Sequence, residues 1–199
     1  MIHVQEQPEP AAFDATVRAR GQRHLQELGL ALDRPLPAGT TLSPHWRNCL
    51  DDLHRAYNGV CAYLCVFIER CTGGNSVDHF IAKSALAGNA YEWRNFRLAC
   101  STMNSRKNDF TDVLDPFVLD HDLFRLELST GHIYPNPELA AQARVVVEQT
   151  ITRLGLDDAG CREMRARWYS EYLAVPLTAD YLRRKSPFVW REALRQSLL

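Results

Sequence analysis

Asp78 and His79 stand side by side, and Asn104 follows 25 positions later, with Arg106 and Lys107 just beyond it. Asp78 offers a hard anionic oxygen and Asn104 a neutral one. Mg²⁺ takes few protein ligands and keeps its remaining positions for water and substrate oxygens, so one carboxylate and one amide suit it. His79 supplies a base whose pKa ordinarily lies near working pH. Arg106 and Lys107 can meet phosphate oxygens. A metal, a base and cations together make up the parts needed for phosphodiester hydrolysis. Alone, a histidine beside an aspartate is an ordinary surface pair; the combination is what points to chemistry.

These residues need elements that bring them together. Ser76 to Phe80 reads as a strand, and Trp93 to Leu98 carries a short apolar alternation that reads as a second. Neighbours on a strand point to opposite faces, so Asp78 and His79 can serve one site only at a strand end or bend. The stretch from Lys83 to Tyr91 reads as loop, which provides that bend. Ser101 is a candidate cap for a helix running through Asn104 and Lys107. Such a helix start would offer free N–H groups to an anion.

Around this core, Phe13, Val17, Leu25, Leu28 and Leu32 predict one helix over 11–31, with Gly21 as a weak point. Trp46, Cys49, Leu50, Leu53 and Tyr57 fall on one face of a second helix, closed by Asn58-Gly59. Val60 to Ile68 is rich in β-branched, aromatic and sulfur residues and reads as extended. Thr72 to Asn75 is a turn signal. Phe124–Leu128 and His132–Tyr134 flank Ser129-Thr130-Gly131, the pattern of a β-hairpin. Helices are expected at 137–154, 158–174 and 178–196, the last capped by Thr178 and interrupted by Pro187. The fold class is therefore α+β. The expected divisions are an N-terminal helical segment (1–57), a core (58–112) and a hairpin with a C-terminal helical region (113–199).

The stretch from Cys61 to Asp109 resembles the HNH (ββα-metal) nuclease family, whose core reads Asp-His, then Asn, then Asn or His before a basic residue. The resemblance implies a small ββα-metal core. His79 would be the general base that activates water, and Asp78 and Asn104 would hold Mg²⁺ (or Mn²⁺). Asn95 would brace the loop that orients His79. Lys83, Arg106 and Lys107 would contact nucleic acid. The helical lead-in, the core and the helical tail look like the HNH subunits of Septu-type and retron-associated anti-phage systems, as does the opening Val4 to Ala11. That likeness implies a DNA endonuclease working with an ATPase subunit. The alternative is an HNH-fold adaptor with no activity of its own.

Many HNH relatives bind a structural zinc through two Cys-x-x-Cys pairs. Here Cys61 and Cys65 are separated by three residues, and Cys100 is paired with Met103, a poor zinc ligand, so no structural zinc is expected. Asp120-His121-Asp122 is either a metal cluster or a solvated acidic loop.

Composition frames these readings. The 199 residues are 46% hydrophobic and 24% charged, ordinary for a globular chain. The formal charge of −1 excludes a grip on nucleic acid by bulk charge. That total conceals an acidic stretch at 109–127 and a basic tail. From residue 160 onward, eight Arg and Lys face four Asp and Glu, interleaved with Trp168, Tyr169, Tyr172, Tyr181, Phe188 and Trp190. The tail is either a partner surface or a helix bundle with solvated arginines. The polar N-terminus and the lack of a long apolar run suggest a cytoplasmic protein with no membrane association.

Overall fold

A computed structural model describes residues 1–72, 74–120 and 122–199. It is mixed, 46% helical and 9% strand, with two small sheets, in agreement with the α+β expectation. No helix among the described residues is long and apolar enough to cross a membrane. The turn expected at Thr72–Asn75 and the Asp120–Asp122 run include Gly73 and His121, which lie outside the described residues.

The chain divides into two compact units, and the division differs from the expected one. The first unit is Glu6–Gly59 with Glu69–Thr111; the second is Met1–Gln5, Val60–Ile68 and Asp112–Leu199. The N-terminal helices thus share a core with the candidate catalytic segment. Residues 60–68 belong with the C-terminal helices.

In the first unit, a π-type turn (Asp14–Arg18) runs into helix α1 (Ala19–Glu27). It stops short of the predicted 31 because Gly29 adopts φ +64 and the Leu30 N–H turns back to the Leu25 carbonyl at 3.0 Å. A left-handed glycine with that bond is a helix stop. A 3₁₀ turn (His45–Cys49) precedes α2 (Leu50–Ala56). Strands β1 (Asn75–His79) and β2 (Phe96–Cys100) pair antiparallel, Val77 opposite Leu98 and His79 opposite Phe96. Helix α3 (Ser101–Lys107) follows β2 directly. The core gathers Phe13, Val17, Leu25, Leu53, Trp93, Phe96, Leu98 and Met103, all buried. Phe13 meets the Trp93 and Phe96 rings edge-on at 5.4 and 5.8 Å.

Gly21, a weak helix former in the sequence, is a close-approach position. A Cβ there would lie 2.1 Å from Cγ of Tyr91, whose ring is buried. Gly21→Ala is therefore expected to destabilise the protein by about 2–3 kcal/mol, although alanine favours helices. The midpoint of denaturant unfolding measures it, and an unchanged or higher midpoint refutes the steric account.

In the second unit, β3 (Phe124–Leu126) and β4 (Ile133–Pro135) form the expected hairpin, followed by α4 (Ala141–Leu154), α5 (Ala159–Ala174), α6 (Ala179–Lys185) and α7 (Pro187–Arg195). The single helix expected over 178–196 is two. Pro187 lacks an N–H and starts α7 at a position where none is needed. Thr178 caps α6, accepting from the Tyr181 N–H at 3.1 Å. Two buried charges tie the unit together. Glu192 accepts from the Leu126 N–H at 3.0 Å, and Arg165 donates to the Gly131 and Leu156 carbonyls at 2.8 and 2.5 Å.

Residues 60–68 are not a strand. The segment folds on itself, Cys65 N–H to the Cys61 carbonyl and Cys61 N–H to the Val66 carbonyl, both at 2.9 Å, with Cys65 at φ +56. One bridge, Val60 to Phe67, is its only ladder pairing among the described residues. Cys61 and Cys65 lie in the second unit, Cys100 in the first.

Candidate functional site

His79 is the last residue of β1, and just beyond it the Phe80 N–H bonds the Asn95 carbonyl at 2.9 Å. At that strand end Asp78 and His79 both line one cavity of about 730 Å³, together with Asn104, Lys83, Trp46 and Ser76. Leu36 and Thr40 to Leu42 line it as well.

The imidazole of His79 is 5% exposed and clamped between two aromatic rings. Trp46 meets it edge-on at 4.9 Å and Phe96 at 5.0 Å. Nε2 lies 2.9 Å from the Ala90 carbonyl oxygen. A carbonyl only accepts, so Nε2 carries the proton and Nδ1 holds the lone pair. Burial pushes the imidazole down to about 3; Lys83 and Lys107 push the same way, and the Ala90 bond only partly opposes them. The pKa near working pH expected from the sequence does not hold in this pocket: the ring stays neutral over the physiological range.

Asn95 reaches across the loop between the strands. Its Oδ1 accepts from the Ile81 N–H at 2.8 Å, and its Nδ2 donates to the Ile81 and Asn89 carbonyls at 3.0 Å each. Asn89 precedes Ala90, so this buried amide fixes the turn that presents the carbonyl holding His79.

Asn104, on α3, donates through Nδ2 to Ser76 Oγ at 3.1 Å and to the Val77 carbonyl at 3.2 Å. Those bonds identify the nitrogen and leave Oδ1 as the acceptor. Asp78 is 1% exposed. Among the described residues no three His, Cys, Asp or Glu side chains group to hold a cation. Asp78 with the Asn104 oxygen gives two hard donors on one cavity, which fits Mg²⁺ or Mn²⁺ completed by water and substrate.

The cations divide. Lys83 lines the cavity, its Nζ 4.9 Å from the centre of the Trp46 ring. Burial lowers its pKa, Asp78 raises it and Lys107 lowers it. Lys107 is not placed for the phosphate contact expected of it. It is 1% exposed, and its ammonium donates to the Phe80 carbonyl at 2.6 Å and to those of His79 and Asn108 at 3.4 Å. It pins the strand end instead. Arg106 does not line the cavity. At the start of α3 the first N–H is taken: the Ser101 N–H and hydroxyl both donate to the Gly74 carbonyl, at 2.7 and 3.1 Å. Ser101 is the first helical residue and Cys100 holds the cap position, without a capping side-chain bond.

Sequence reasoning missed Trp46, Ser76 and Ala90. Trp46 carried no signal beyond an apolar helix position, and Ala90 acts only through its carbonyl. Compared with known proteins, the chain matches no family model and no curated protein.

Proposed function

We propose that the protein is a metal-dependent endonuclease of the HNH type acting on DNA. The observation that carries this reading is the state of His79: a neutral imidazole with Nε2 fixed on a carbonyl and Nδ1 as acceptor, on the same cavity as Asp78 and the Asn104 oxygen. His79 accepts a proton from water at Nδ1, while the Ala90 carbonyl stabilises the cationic ring that results. Trp46 and Phe96 hold the ring plane, and Lys83 offers its ammonium to a phosphate oxygen. Asp78 and Asn104 would hold the divalent cation, which supplies charge neutralisation at the scissile phosphate. A role in anti-phage defence beside an ATPase subunit is part of the same proposal and rests on the sequence resemblance alone.

Supercoiled plasmid is expected to become nicked in Mg²⁺ or Mn²⁺ and to remain intact in EDTA, with 5′-phosphate ends on the product. The assay is run with and without the product of the adjacent gene. Cleavage that persists in EDTA, or none under either condition, defeats the reading; the second outcome leaves the adaptor.

A further inference from the structure

The second unit holds a cavity of its own, about 690 Å³, between the β3–β4 hairpin and the ends of α5 and α7. Its floor is apolar, from Leu126 and Leu128, and its polar groups are positioned by bonds made behind them. His132 has Nδ1 at 2.9 and 3.0 Å from the two oxygens of Asp157. Asp157 is in turn held by Arg162 and by the Ile133 N–H at 3.0 Å. Nδ1 therefore carries a proton. Tyr134 stacks on that ring, centroids 5.4 Å apart and planes 23° apart, and Tyr169 adds a second phenol.

Two charged groups lie on the same cavity. Glu127 accepts from Thr130 through Oε2, which leaves Oε1 with no protein donor among the described residues. Arg195 is locked on the buried Glu192 through Nε and one terminal nitrogen, at 3.0 and 3.1 Å, and keeps further N–H groups. The cavity thus combines two tyrosines, an acceptor at Glu127 and a donor at Arg195.

We infer that this cavity binds a guanine base. Guanine is flat and presents two adjacent N–H donors, at N1 and the 2-amino group, that match one carboxylate. Its neighbouring edge, O6 and N7, accepts from a guanidinium. Aromatic side chains stack on unpaired bases. Adenine would turn its N1 lone pair toward Glu127, and two acceptors repel. A base inside a duplex cannot reach such a pocket, so the ligand is a free guanine nucleotide or a guanine in a single strand. The inference concerns the other unit and does not depend on the nuclease reading.

The test is calorimetric titration of the full chain with GMP, with AMP, and with a short oligo(dT) strand carrying one central dG. GMP is expected to bind at least about tenfold more tightly than AMP, the worth of one bidentate pair. Tighter binding of the dG strand than of GMP assigns a single strand as the source; equal or weaker binding assigns the free nucleotide. Glu127→Gln, at an exposed position, keeps the fold and is expected to erase the GMP preference, and Tyr169→Ala to weaken GMP about tenfold. No saturable GMP binding, equal binding of GMP and AMP, or an unchanged preference in Glu127→Gln overturns the inference.

Discussion

His79→Ala is expected to lower the rate of metal-dependent plasmid nicking by about 10²-fold, the low end of the usual worth of a positioned general base, because burial holds its pKa at about 3, below working pH. The effect is large because His79 is the lining group held by a bond behind it, Nε2 on the Ala90 carbonyl. The Asn104 amide does not accept a proton and Asp78 is committed to the metal in this mechanism; Asp109, the other carboxylate on the cavity, is exposed, and Asp109→Asn is expected to cost far less than His79→Ala. The substitution also removes a buried ring from between Trp46 and Phe96, so circular dichroism and unfolding midpoints must accompany the rates. His79→Gln, closer in size, separates lost chemistry from lost packing. Added imidazole is expected to restore part of the activity of His79→Ala, because the cavity has room for it and the missing group is a proton acceptor. Nicking at the wild-type rate by a folded His79→Ala protein removes His79 from the base role.

Asn95→Ala is expected to cost about 3 kcal/mol of stability and most of the activity. One side chain satisfies three backbone groups, the Ile81 N–H and the Ile81 and Asn89 carbonyls, in a largely buried setting. Each such group left without a partner costs about 1–3 kcal/mol, reduced where water can enter. The loop they fix carries Ala90, so its loosening frees the Nε2 side of His79 and lets the ring exchange tautomers. Asn95→Asp keeps the acceptor for the Ile81 N–H but turns a carboxylate oxygen onto the Ile81 and Asn89 carbonyls in a buried setting, and is expected to cost at least as much as alanine. Hydrogen exchange at the Ile81 amide reports the loop directly. Unchanged protection there, with an unchanged midpoint, shows that the loop is held by other contacts.

Much of the candidate site could be read from residue types because its demands are local. Asp78 and His79 had to lie at a strand end, Asn104 was singled out by type and spacing, and Asn95 by the resemblance to the HNH core. What could not be read were properties that depend on the third dimension. The spacing of Lys107 suits a phosphate contact, but one turn of α3 buries it against the end of β1. The pKa of His79 follows chiefly from burial beneath Trp46 and in part from Lys107, 28 residues on, neither of which a local sequence window contains; only Lys83 lies nearby. Gly21 looked like a defect until Tyr91, 70 residues on, was found against it. Residues 60–68 have strand-like composition, but with Cys65 left-handed and Phe67 bonded to the Lys185 carbonyl at 2.9 Å no ladder forms. In each case long-range packing overrode a correct local preference.

The interleaving of the two units sets an order of events during synthesis. Residues 6–59 leave the ribosome before 69–111, their partners in the same core, and residues 60–68 wait for helices at the far end of the chain. Contacts of such high sequence separation close late and slowly. The nascent first unit cannot complete its cavity until Thr111 has emerged, so a truncated chain carrying only 58–112 lacks the helices that bury Phe96 and Trp93. The cavity of the first unit therefore closes only after more than half of the 199 residues have been made.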